Sequence, residues 1–122
     1  MISLSTDEFE SLTVTALKSL DSFHANAIKN IAIIYEMEPS LEQREKLKLR
    51  DDQTLFGLYE GLPLPNRQGV TRIYPDKITI FQGPLQRASM DVLSLKENIR
   101  HTLWHEIAHY YGLDHQKISQ LE

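Results

Sequence analysis

His105-Glu106-Ile107-Ala108-His109-Tyr110-Tyr111-Gly112-Leu113-Asp114-His115 is the stretch on which the reading of this chain turns. His105 and His109 are four residues apart, so on a helix both imidazoles lie on one face, about one turn apart, and can share a metal ion. Glu106 sits roughly 100° around the same helix, where it can act as general base on a metal-bound water without being a ligand. Gly112 permits the left-handed residue that ends a helix, after which the chain turns back and brings His115 to the same ion. Three protein ligands with an open fourth position are the arrangement of a catalytic zinc. A closed structural site would be expected to draw on cysteine, and the chain has none. The five-residue core alone also fits a helix end with polar side chains facing water; Gly112 and His115 at fixed later positions make the full pattern far more specific.

Working outward, Ser94 and Glu97 have the spacing of a capping box, which predicts a helix from there to Tyr111. Leu103, Trp104, Ile107 and Tyr111 cover the arc roughly opposite the two histidines, so one side can anchor in a core while the other faces a cleft. His101 lies one turn before His105 on nearly the same face, where it either supports the ligands from behind, meets substrate or is simply exposed. Met90 and Leu93, in the connection that precedes this helix, are expected to pack inward.

Toward the amino terminus, Ser5 and Glu8 form another capping box, with Leu4 and Phe9 as its hydrophobic staple. Phe9, Leu12, Ala16, Leu17 and Leu20 then recur at helical spacing, predicting a helix over about residues 6–22. Ile31 to Tyr35 is a β-branched run, read as a strand over 30–36. Residues 36–52 are highly charged and fit a short helix or a loop. Thr54 to Tyr59 reads as a second strand in which Gly57 marks a bulge or a close approach. Gly61, Pro63, Pro65, Asn66 and Gly69 punctuate a loop, and Thr71–Tyr74 with Lys77–Phe81 suggest a hairpin around Pro75-Asp76. Gly83-Pro84 stops the strand, and Leu85 to Leu93 reads as a connection with room for a helical turn. The expected extended edge for a peptide is Thr79 to Gln82.

The 122 residues fit one domain spanning 1–122, and a 41% hydrophobic content supports a core. A net charge of -4 without a basic end makes nucleic acid and anionic membrane poor partners. The absence of cysteine excludes disulfides and thiol catalysis. Lacking a basic-then-apolar start and any spanning apolar run, the chain is expected to be cytoplasmic.

Taken together, His105-Glu106-x-x-His109-x-x-Gly112, the Phe9-Glu10 helix, Ile31-Ala32-Ile33-Ile34, Leu55-Phe56-Gly57-Leu58-Tyr59-Glu60-Gly61, Pro63-Leu64 and Ile78-Thr79-Ile80-Phe81-Gln82-Gly83-Pro84-Leu85 resemble a group of small bacterial zincin-like predicted metallopeptidases. The resemblance covers nearly the whole chain. It implies an α+β fold, a minimal zincin-like domain with a small mixed β-sheet packed against an N-terminal helix and a C-terminal metal-binding helix. It also implies zinc-dependent peptide-bond hydrolysis, with a peptide or protein as substrate. The elongated pattern ending in His115 resembles the metzincin clan too, although nothing after His115 supplies that clan's methionine turn. Many relatives carry an acidic residue around Asp114-His115, so Asp114 is the alternative third ligand; with His115 bound, Asp114 would orient a ligand from behind. Two other readings use the same histidines: a zinc-stabilised protein-binding module without catalysis, and a zinc amidase acting on a non-peptide substrate.

Overall fold

The structure, a computed structural model, describes residues 2–20, 31–61 and 76–112. The Ser5 hydroxyl accepts from the Glu8 N–H and the Glu8 carboxylate accepts from the Ser5 N–H, at 3.1 and 3.0 Å. This box starts α1, Thr6–Lys18, which ends sooner than the apolar spacing suggests. Its apolar stripe buries Phe9 and Ala16 completely, with Leu12 and Leu17 packed beside them. Thr13 lies inside that stripe and is also fully buried, its hydroxyl donating to the Phe9 carbonyl, so the hydroxyl is not left without a partner.

Strand β1, Ile31–Glu36, lies where the β-branched run placed it. The charged stretch then forms a short helix, α2, Leu41–Lys46, because Ser40 and Gln43 make their own reciprocal cap. It buries none of its residues, so the cap and not a core contact defines it. Strand β2, Gly57–Glu60, is shorter than the expected run from Thr54.

Strand β3, Asp76–Phe81, runs between the other two, parallel to β1 and antiparallel to β2, giving the order β1-β3-β2. Ile78, Thr79, Ile80 and Phe81 are all buried, so both faces of β3 are covered. The expected peptide-accepting edge at Thr79 to Gln82 is therefore corrected: β3 spends its main-chain groups on two neighbours, and among the described residues the edges belong to β1 and β2. Asp76, expected in a hairpin turn, is instead the first residue of the strand and is 1% exposed. The other arm of that hairpin, Thr71–Tyr74, lies outside the described residues.

Gln82 follows β3 directly and opens α3, Gln82–Arg87, so the strand does stop just before Gly83-Pro84, and that pair sits in the first turn of a helix. That is compatible with proline chemistry, since the first N–H groups of a helix have no intrahelical acceptor. Buried Gln82 and Gln86 tie this helix to the amino terminus: Gln82 Nε2 donates to the Leu4 carbonyl, and Gln86 Oε1 accepts from the Leu4 N–H.

The long carboxy-terminal helix, α4, Val92–Tyr110, starts earlier than the Ser94–Glu97 box predicts. Asp91 is the cap: its carboxylate accepts from the Ser94 N–H at 2.7 Å, and Ser94 Oγ accepts from the Asp91 N–H at 3.0 Å. Glu97 pairs with Arg100 instead. With this phase Leu95, Ile99, Leu103 and Ile107 are fully buried, whereas Met90 and Leu93, expected inside, are 93% and 76% exposed. Trp104 and Tyr111 flank the core as partly buried neighbours. The architecture is thus α+β: a small mixed sheet packed with the N-terminal helix and with the C-terminal helix that carries His105, Glu106 and His109. Among the described residues, no helix is long and apolar enough to cross a membrane.

Candidate metal centre

Three side chains on the last two turns of α4 converge. His105, Glu106 and His109 each offer one ligand atom, and these atoms all lie within 4.8 Å of one another. The two imidazole rings are 5.0 Å apart, centroid to centroid, and stand edge to face, as expected for residues one turn apart on a helix. All three are half-buried, which suits a wall of a cleft better than either a core or an open surface. The helix continues to Tyr110, and Gly112 has φ 83°, the left-handed conformation that its sequence position predicts. His115 and Asp114, the candidate third ligands, lie outside the described residues. His101 is exposed one turn away and is not among the convergent group.

Glu106 is held from strand β2. The Tyr59 main-chain N–H donates to Glu106 Oε1 at 2.9 Å. The ladder explains why that donor is available. Phe81 N–H bonds the Phe56 carbonyl, so with Gly57 opposite Ile80, the alternation of an antiparallel pair turns the main chain of Gly57 and Tyr59 away from β3. Burial pushes the Glu106 carboxyl up to about 7, and the Tyr59 bond works against that shift.

Gly57 is what lets the helix come this close. A Cβ there would lie 2.6 Å from Thr102 Cγ2 and 3.4 Å from Glu106 Cγ, so the glycine marks a close approach and not a bulge. Tyr59 is fixed at its far end as well: its hydroxyl donates to Asp76 Oδ2 at 2.9 Å, and its ring meets that of Tyr110 edge to face, 6.2 Å between centroids. The sequence flagged Gly57 but missed the Tyr59 main-chain N–H, and Asp76, as parts of the site's surroundings. A main-chain donor leaves no mark in a sequence, and only the parity of Gly57 and Tyr59 along one strand hints that both point the same way.

The donor set fits zinc. Two imidazoles with an adjacent carboxylate are borderline-soft and hard donors of the kind zinc accepts, arranged on one rigid helix.

Among solved structures, a conserved hypothetical protein from Thermo thermophilus has the same fold, at a TM-score of 0.59 and 12% identity over 97% of this chain and 100% of that one. No curated protein matches the chain. The family model for zincin-like metallopeptidases matches residues 28–122, a span that includes both histidines, Glu106 and the strand that holds it, and the chain belongs to that family.

Proposed function

We propose that this chain is a zinc-dependent peptidase in which His105 and His109 hold the ion and Glu106 is the general base. The observation that carries this reading is the convergence of the three side chains within 4.8 Å on a helix whose opposite side is anchored in the core. The family match supports zinc-dependent hydrolysis in general; the assignment of roles rests on geometry. His115 is the proposed third ligand, with Asp114 as the alternative.

A zinc ion bound there supplies a Lewis acid for a carbonyl oxygen and makes water acidic enough to be deprotonated near neutral pH. The protein does the rest. His105 and His109 project from successive turns of α4, so their separation is set by the helix and not by a loop. Glu106 takes a proton from the attacking water and returns it to the leaving amine, and the Tyr59 N–H holds one carboxylate oxygen so that the group does not have to find its position in each cycle. Packing of β2 against α4 through Gly57 excludes water from one side of the carboxylate.

The test is zinc-supplemented cleavage profiling against a peptide library and a small-amide library, with Glu106→Gln prepared in parallel. The expected result is peptide cleavage that vanishes in Glu106→Gln while zinc content stays the same. Cleavage that survives in that variant contradicts the reading. Zinc binding without cleavage of either library favours the stabilised binding module, and cleavage of amides alone favours the amidase.

A further inference from the structure

The buried carboxylate of Asp76 is not used by the chemistry above, yet it stands one residue away from it. Asp76 is the first residue of β3, and the register pairs Lys77 with Glu60 and Ile78 with Tyr59. Asp76 and Tyr59 are therefore diagonal neighbours on one face of the sheet, close enough for a long side chain to span. The Tyr59 hydroxyl does so, donating to Asp76 Oδ2 at 2.9 Å.

Gly61, next in line after β2, makes room for this contact. A Cβ at Gly61 would lie 2.5 Å from both Cγ and Oδ1 of Asp76, so any side chain there would displace the carboxylate. The bond matters because β2 is only four residues long and its ladder ends at Glu60. Strand ends open most readily, and Tyr59, whose N–H holds Glu106, is the next-to-last residue.

We propose that Asp76 and Tyr59 form a positioning pair for Glu106: Asp76 pins the Tyr59 side chain, and the pinned residue presents its main-chain N–H to the Glu106 carboxylate. The proposal rests on the peptidase reading for the task of that carboxylate. In this role Asp76 and the Tyr59 hydroxyl act through the position of β2.

The test reads the strand end directly in metal-free, full-length protein by amide hydrogen exchange at residue 59. Glu106→Ala removes the acceptor and sets the full effect, about tenfold faster exchange for one lost hydrogen bond. Tyr59→Phe keeps the ring and loses only the hydroxyl; Gly61→Ala displaces Asp76 and leaves residue 59 a tyrosine. Both are expected to speed exchange at residue 59 by about threefold or more, with Ile99 and Leu103 amides unchanged. In zinc-loaded protein both lower kcat by about tenfold at unchanged KM and zinc content, as a misplaced base would.

Wild-type exchange at residue 59 in both variants overturns the proposal. So does equal acceleration at Ile99 and Leu103, because that reports global opening. A wild-type protein with no Glu106-dependent cleavage overturns the peptidase reading instead, and the exchange data still decide whether the pair holds the carboxylate.

Discussion

Replacing Gly57 by alanine isolates the contact that brings β2 to the metal helix. In an ordinary strand this change is favourable by about 0.4–1 kcal/mol, because alanine has less unfolded-state freedom to lose. Gly57 has no positive φ that would forbid a side chain. The obstacle is space: the new Cβ would sit 2.6 Å from Thr102 Cγ2, and ordinary contact begins at 3.4 Å. The helix and strand must open by about 0.8 Å, or Thr102 must leave its rotamer and the bond its hydroxyl makes to the Asn98 carbonyl. Overpacking of this kind costs about 1–3 kcal/mol, so the net loss expected is about 1–2 kcal/mol, or a fall in Tm of roughly 3–10 °C for a chain of this size. Removing the obstructing methyl should rescue the variant. Thr102→Ser keeps the hydroxyl and deletes Cγ2, at a cost of about 1 kcal/mol for the lost buried methyl. The assay is thermal and urea unfolding of the metal-free wild type, both single variants and the double variant. The expected double variant is about as stable as Thr102→Ser alone, a coupling of at least about 1 kcal/mol. Strict additivity, or a Gly57→Ala protein more stable than wild type, refutes the close approach.

Three further outcomes follow from the same packing. Because Asp91 caps α4, Asp91→Ala should lower Tm more than Glu97→Ala, measured by circular dichroism; the reverse order would restore the Ser94–Glu97 start. The Ser94 backbone N–H holds the Asp91 carboxyl below its ordinary value of 3.8. Its contribution is therefore present above that value and is lost as pH falls through the lower folded value, so Asp91→Asn, which can still cap but does not titrate, should show a flatter acid limb of stability. Ile99→Ala should cost about 2–5 kcal/mol in urea unfolding, because the side chain is fully buried, whereas Leu93→Ser should stay within about 0.5 kcal/mol.

How far the sequence reached depended on whether a feature was local. Ser5 with Glu8, and Gly112 at its left-handed φ, are decided within a single turn of chain, and both could be read directly. The start of α4 was ambiguous for a local reason too. Ser94 has the chemistry to be the cap of one box or the third residue of another, and the choice falls to the helix phase that buries Leu95 and Ile99. The place of β3 was not legible. Ile78 to Phe81 carries apolar side chains on both faces, as a central strand does, but its partners come from β1 and β2, and strand order is a property of the whole sheet. Of the site, the two histidines and Glu106 were legible from helical spacing alone. The Tyr59 N–H was not, since every residue except proline carries that donor.

The central claim, one ion gripped from one side of α4, is tested most directly by anomalous diffraction at the zinc edge from crystals grown with zinc. The expected map has a single strong peak about 2.0–2.1 Å from a ring nitrogen of His105 and of His109, absent from crystals of the His105→Ala/His109→Ala protein. A map with no peak between the two imidazoles, or a peak held by other residues, would contradict it.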